Sequence, residues 1–148
     1  MAGWRIGMAV GNKEAIRLLA NYKSQIDSSI FMPILDAGQA ALTADQAWLV
    51  ERNKIYEKRR DVVYNGLKDC GFEVDSPKAA LYLWAKLPPK FHDPVKFCAD
   101  LLNDAGVSMT PGVVYGPSGA DYIRISIVIP TDRIEEAIGR MQAWIAAQ

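Results

Sequence analysis

Regular alternation of side chains from Tyr122 to Ile129 constrains the fold of this chain more than any other feature. Isoleucine stands at 123, 125, 127 and 129, and tyrosine, arginine, serine and valine stand between them. Because successive side chains of a β-strand point to opposite faces of a sheet, the isoleucines predict one buried face. Arg124 then lies on the opposite, partly polar face. A sheet with one buried face needs a cover, which helices supply in mixed α and β proteins.

The N-terminal residues predict an extended run joined to two helices. Residues 5–10 read as extended, and Gly11 turns the chain into a helix that is capped by Asn12. A second helical stretch is predicted over residues 33–42. Thr43 with Gln46 then has the spacing of a capping box, which predicts that a long helix begins there and runs to about Cys70.

Short strands and helices alternate after Gly71, which is placed to end the long helix. Extended segments are predicted at residues 72–74, 81–87, 107–109 and 122–129. Helices are predicted from the Asp93 cap to Ala105, with Gly106 as the stop, and after a capping box of Asp132 and Glu135. The fold class is therefore α/β with an α+β small domain, in which helices cover a small antiparallel or mixed sheet. We divide the chain into residues 1–44, a linking helix at 45–70 and a small domain at 71–148.

Composition narrows the classes of partner. The 148 residues are 50% hydrophobic and carry 17 basic and 17 acidic side chains, so no basic excess attracts nucleic acid or a membrane surface. No apolar run approaches the roughly 20 residues of a membrane span, and we expect a cytoplasmic location. Cys70, Cys98 and the single His92 lack metal-ligand spacing, so we expect reduced packing cysteines and no metal site.

Two arginines stand inside apolar segments, Arg5 near the start of the chain and Arg124 in the alternating strand. A guanidinium in such a place is costly unless a carboxylate or phosphate meets its planar fork of donors. Each arginine taken alone is also compatible with a solvated surface or a structural ion pair, for which Asp121 is the candidate partner of Arg124.

Four motifs resemble the class I/II, fold-type-I aminotransferases that depend on pyridoxal phosphate. The opening M-A-G-W-R-I-G with Gly11 and Asn12 is similar to the family stretch around its phosphate-binding arginine. Residues 77–84 resemble its P-x-G-A-F-Y-x-W segment, residues 107–112 its V-x-x-x-P-G turn, and residues 122–126 its carboxylate-binding strand. The likeness covers nearly the whole chain as the C-terminal part of such an enzyme. It is closest to LL-diaminopimelate, aspartate and alanine aminotransferases.

The resemblance implies a role for each arginine. Arg5 would hold the phosphate of pyridoxal 5'-phosphate, Arg124 would bind the substrate α-carboxylate, and Tyr115 would line the substrate pocket. The implied reaction passes an amino group from an amino acid to a 2-oxo acid, and the implied assembly is a homodimer or larger oligomer. Ala79 and Leu81 depart from the family glycine and aromatic residue, which puts the substrate in doubt.

The same resemblance places the lysine that binds the cofactor as an imine eight residues before Arg5, upstream of Met1. No catalytic residue is therefore assigned, and we expect this chain alone to be inactive. A truncated product, a misassigned start and a piece cut from a longer protein stay open. The alternative function is a non-catalytic module, built around residues 72–148, that binds small carboxylates or a protein partner.

Overall fold

The computed structural model describes residues 2–148, and the chain divides into two compact units, Met1–Gln46 and Ala47–Gln148. In the first unit a short 3-10 turn at Ala2–Trp4 precedes α1 (Lys13–Ile26) and α2 (Met32–Thr43). As predicted, Asn12 caps α1, where its side-chain oxygen accepts from the amides of Glu14 and Ala15 at 2.9 and 3.2 Å. Neither helix buries a side chain within the described residues.

The capping box predicted for Thr43 and Gln46 is wrong. Thr43 is instead the last residue of α2, and its hydroxyl donates to the Gln39 carbonyl at 3.0 Å. The Gln46 amide donates to the carbonyl of Ala44 at 2.6 Å. The two polar side chains that suggested a helix start therefore hydrogen-bond to carbonyls of α2 and its C-cap, and the Ala41 and Ala44 carbonyls that Gln46 reaches have no partner within the helix.

In the second unit, α3 (Ala47–Asp69) is the long helix that the sequence predicted. The helix is followed by Gly71, whose φ of 82° lies in the left-handed region that glycine adopts without strain. The Gly71 amide donates to Lys68 at 2.9 Å and the Phe72 amide to Leu67 at 3.0 Å, so the last turn is closed by backbone groups.

A four-stranded antiparallel sheet follows, in the order β1-β2-β4-β3. Its strands are β1 (Glu73–Val74), β2 (Tyr82–Lys86), β3 (Thr110–Pro111) and β4 (Tyr122–Ser126). The strand predicted at residues 107–109 is wrong, because pairing begins only at Thr110. Strand pairing of β4 ends at Ser126, and Ile129 is 45% exposed, so the predicted buried face stops at Ile127.

Two further helices belong to this unit, α4 (Pro94–Ala105) and α5 (Thr131–Ala146). Asp93 caps α4 and Gly106 ends it with a φ of 66°, as predicted. The capping box predicted for Asp132 and Glu135 is wrong, because α5 already begins at Thr131 behind Pro130, without a side-chain cap.

One hydrophobic core joins the sheet to the helices. Leu83, Ala85, Ile123 and Ile125 point from β2 and β4 into this core. The helices α3, α4 and α5 contribute further core side chains, among them Val63, Leu67, Phe97, Leu101, Ile134, Ile138 and Met141. The predicted fold class is confirmed. The division of the chain at residues 44 and 70 stays a prediction, although α3 and the sheet share this core.

Candidate functional site

The site is built on the face of the sheet that points away from the core. Trp84 and Arg124 are directly opposite each other on β2 and β4, and Tyr82 is opposite Ser126. On the other edge of β4, Thr110 is opposite Arg124. Because these residues alternate with the buried Leu83, Ile123 and Ile125, their side chains share the open face.

Aromatic rings, and not an acidic side chain, surround the Arg124 guanidinium. Its central carbon lies 4.3 Å from the ring centre of Tyr82 and 4.9 Å from that of Tyr115, both within cation–π range. Its Nε is buried and has no hydrogen-bond partner among residues 2–148. The alternative of an Asp121 ion pair is wrong, because no described acid pairs with Arg124.

A tightly packed loop brings Tyr115 to this face. It consists of two 3-10 turns, Gly112–Tyr115 and Pro117–Gly119, and the glycines that bound it touch each other. A Cβ on Gly112 would stand 2.5 Å from the Gly119 carbonyl oxygen and 2.9 Å from the Trp84 ring. Only glycine fits at such an approach, so the residue types of the loop fix where Tyr115 lies.

Trp84 packs against Tyr115 of this loop. Its ring stacks on Tyr122 with 5.5 Å between centroids and meets Tyr115 edge-on at 5.7 Å. Such aromatic pairs add stability beyond the area that they bury. The structure thus brings Arg124 and Tyr115, two of the predicted site residues, into one aromatic cluster.

Tyr82 and Trp84 were not predicted as site residues. The sequence does carry a signal for them, since Tyr-Leu-Trp-Ala-Lys alternates in the same way as β4. What the sequence does not give is the register that sets Trp84 opposite Arg124.

Arg5, the third predicted residue, lies in the first unit. It is exposed, and its φ of 56° is unusual for a residue with a side chain. No atom lies within 4 Å of a Cβ added at Gly3 or Gly7, so the space on that side of the backbone is open at both residues. At Ala79, where the family has glycine, the backbone is not left-handed. The positive φ of this segment, 74°, falls on the next residue, Ala80.

Both cysteines of the chain lie in or against the hydrophobic core. Burial raises the pKa of Cys98 to about 11, and burial together with the charge of Asp69 raises that of Cys70, so both thiols are protonated near neutral pH. Across residues 2–148 there is no group of three or more His, Cys, Asp or Glu side chains that could hold a metal ion. None of the helices in this range combines the length and apolar character that crossing a membrane requires.

Known proteins are similar to this chain along nearly its whole length. LL-diaminopimelate aminotransferase 2 of Nostoc sp. is 42% identical over 142 residues, which are 96% of this chain and 36% of the relative. The LL-diaminopimelate aminotransferase of Gloeobacter violaceus is 39% identical over 143 residues, 97% of this chain and 36% of its own length. The chain thus spans little more than a third of these relatives.

Solved structures are similar over nearly the whole chain. Pyrococcus protein-A1 superposes with a TM-score of 0.87 at 28% identity, covering 99% of this chain and 38% of its own. The aspartate aminotransferase of Rhizobium meliloti gives a TM-score of 0.81 at 33% identity, with 99% and 39% covered.

Residues 1–141 match the sequence profile of the family described as "Aminotransferase class I and II". Enzymes of this family have fold type I and depend on pyridoxal phosphate. The chain therefore belongs to the class I and II aminotransferases and corresponds to their C-terminal part.

Proposed function

We propose that this chain forms the substrate-carboxylate site of an amino-acid aminotransferase, with Arg124 as the residue that binds the α-carboxylate and Tyr115 lining the pocket. One observation carries the proposal: Arg124 stands on an open sheet face without an acidic partner among the described residues. A guanidinium binds a carboxylate through two parallel charged hydrogen bonds, each worth about 1.5–3 kcal/mol.

The fit to the cofactor is partial. Arg5 is exposed and flanked by the open space at Gly3 and Gly7, which suits a phosphate group, and we assign Arg5 to hold the phosphate of pyridoxal 5'-phosphate. When bound, this cofactor supplies an electron sink for chemistry at the amino-bearing carbon. Arg124 orients the substrate by its carboxylate.

For the whole protein, the proposed reaction transfers an amino group between an amino acid and a 2-oxo acid. The names of the relatives favour LL-diaminopimelate as the amino acid. Leu81, where the family has an aromatic residue, changes the shape of the pocket and not its charge. We also propose self-association as a homodimer and a cytoplasmic location.

Residues 1–148 are not expected to transaminate alone. A lysine must bond to the cofactor for this chemistry, and none of the lysines here stands at the position that the family motif assigns to it. Binding of the cofactor by Arg5 without the remaining contacts is accordingly expected to be weak.

The test is to titrate the 148-residue chain separately with 2-oxoglutarate and with LL-diaminopimelate and to monitor binding by NMR. Replacing Arg124 with alanine is expected to weaken binding of either ligand by at least about 10- to 150-fold, the equivalent of one of the two charged hydrogen bonds that it removes. Arg60→Ala is the matched control, because Arg60 pairs with Asp61 at 2.7 Å and is not part of the open face. Equal losses in both variants would refute the assignment.

A parallel titration with pyridoxal phosphate separates the two arginines. Arg5→Ala should weaken phosphate binding and leave 2-oxoglutarate binding unchanged, whereas Arg124→Ala should do the reverse. An Arg5→Ala variant that binds pyridoxal phosphate as well as the wild type would remove Arg5 from the proposal.

The second candidate function is a non-catalytic module that binds small carboxylates or a protein partner. It is favoured by the independent core of residues 47–148 and by the exposure of Tyr115, which is 53% accessible on the open face. The test is to titrate residues 47–148, expressed alone, and the 148-residue chain with 2-oxoglutarate and with pyridoxal phosphate. Equal affinity of both for 2-oxoglutarate, with no binding of pyridoxal phosphate by either, would support this second function.

A further inference from the structure

We propose that Tyr82 is a positioning residue for Arg124, and that Tyr82 and Tyr115, called the tyrosine pair below, replace the acidic partner that a half-buried arginine ordinarily needs. The inference rests on the proposed carboxylate-binding role of Arg124 and adds a residue that the family motifs did not assign to the site.

The sheet register brings Tyr82 to Arg124. Tyr82 is paired with Ser126, two residues beyond Arg124 on the neighbouring strand, so Tyr82 and Arg124 are diagonal neighbours on the open face. Long side chains reach each other across such a diagonal. The resulting distance of 4.3 Å between guanidinium carbon and ring centre is the shortest of the cation–π contacts in the described residues.

Four other arginines of the chain are held by carboxylates, whereas Arg52 and Arg59 combine a ring contact with hydrogen bonds to uncharged oxygens. Carboxylates lie between 2.5 and 2.9 Å from the guanidinium nitrogens of Arg17, Arg60, Arg133 and Arg140. Arg124 instead has two ring contacts and a buried Nε without a hydrogen bond among residues 2–148. Its surroundings therefore orient the cation without neutralising it.

This difference matters for anion binding. A carboxylate of the protein would compete with a ligand carboxylate for the same planar fork of donors. The aromatic ring attracts the cation through its quadrupole and offers no hydrogen-bond acceptor of comparable strength, so the donors stay available to an anion. The tyrosine pair thus holds Arg124 in place and preserves its charge.

Substitutions at Tyr82 distinguish the contribution of its aromatic ring from that of its hydroxyl. Tyr82→Phe keeps the ring, Tyr82→Leu removes it and keeps an apolar side chain, and Tyr22→Leu in α1 is the control for loss of an exposed tyrosine. Tyr115→Leu gives a second route to the same question if Tyr82→Leu does not fold. All variants are made in the complete 148-residue chain.

The first readout is the position of the Arg124 side-chain resonances in NMR, assigned by their disappearance in Arg124→Lys. Ring currents should place them upfield of the resonances of the carboxylate-paired Arg17, Arg60, Arg133 and Arg140, both in the wild type and in Tyr82→Phe. In Tyr82→Leu and Tyr115→Leu they should move toward the average arginine position. Unchanged resonances in a folded Tyr82→Leu, or equal movement in Tyr82→Phe, would overturn the inference.

The second readout is the dissociation constant for 2-oxoglutarate. Tyr82→Leu should weaken binding about 2- to 5-fold, the effect of one exposed cation–π contact, while Tyr82→Phe and Tyr22→Leu bind as the wild type does. Wild-type affinity in Tyr82→Leu would contradict a positioning role. If the wild type itself does not bind 2-oxoglutarate, the proposed function fails, and the resonance positions alone decide on the tyrosine pair.

Discussion

Replacing Gly66 with alanine tests how closely α3 packs on α5. A Cβ added to Gly66 would overlap the Cγ2 methyl of Ile138 and would also lie 3.4 Å from its Cδ1. In the same pair of helices, Gly139 has no atom within 4 Å of an added Cβ. The same substitution, glycine to alanine, therefore produces a steric overlap at Gly66 and none at Gly139.

The expected magnitudes follow from two opposing effects. Alanine in place of glycine stabilises a helix by about 1 kcal/mol, so Gly139→Ala should raise the free energy of unfolding by about that amount. Overpacking of a core contact costs about 1–3 kcal/mol, so Gly66→Ala should be less stable than Gly139→Ala by about that amount. Because the helix propensity gain cancels in the comparison, the difference isolates the contact with Ile138.

Urea unfolding followed by far-UV circular dichroism gives both free energies. In the Ile138→Ala background, adding Gly66→Ala should cost much less free energy of unfolding than it does in the wild type, since alanine lacks the Cγ2 methyl. Ile138→Val keeps that methyl and should not relieve the collision. Equal stability of Gly66→Ala and Gly139→Ala, or relief by Ile138→Val as large as by Ile138→Ala, would refute the described packing of α3 on α5.

Three further predictions concern the same unit. Gly112→Ala should lower its melting temperature by about 4–20 °C, because overpacking against the Gly119 carbonyl costs about 1–3 kcal/mol; calorimetry measures it, and a shift within 1 °C of the wild type would be inconsistent with the contact. Cys98, whose burial raises its pKa from 9.0 to about 11, stabilises the fold fully below pH 9 and loses this contribution as the pH rises toward 11. Urea titrations at pH 8 and 10 should show a smaller decline in stability for Cys98→Ala than for the wild type. Trp144→Phe removes a 3.0 Å hydrogen bond from the indole to Asp104 and should cost about 0.5–1.5 kcal/mol in urea unfolding, whereas the same substitution at the exposed Trp48 should be neutral.

Sequence patterns correctly predicted those structural features that depend only on residues close together in the chain. The caps at Asn12 and Asp93 and the helix ends at Gly71 and Gly106 each involve a side chain or a backbone angle within one turn of its helix. The capping box at Thr43 and Gln46 failed for a related reason. Polar residues at the spacing of a helix start can also hydrogen-bond to carbonyls at a helix end, as Thr43 and Gln46 do, and the sequence pattern does not distinguish the two.

Alternation predicted that Arg124 stands on the face opposite the isoleucines, since that depends on β4 alone. Its contacts with Tyr82 and Tyr115 depend on the register between two strands and on the close approach of Gly112 to Gly119. These are relations between distant parts of the chain, which periodicity within one segment does not encode. The same limit explains why the strand ends at 107–109 and 129 were wrong, because pairing partners decide where a strand stops.

The strand order has a consequence for the time at which the site forms. The loop that carries Tyr115 directly precedes β4, but Tyr82 lies on β2, which α4 and β3 separate from β4 along the chain, so part of the surroundings of Arg124 comes from a distant segment. Contacts between distant segments form late, because the chain must first close a long loop. A partly folded molecule, even one with all its helices, would present Arg124 as an ordinary solvated arginine. The proposed affinity for a carboxylate therefore depends on a complete sheet.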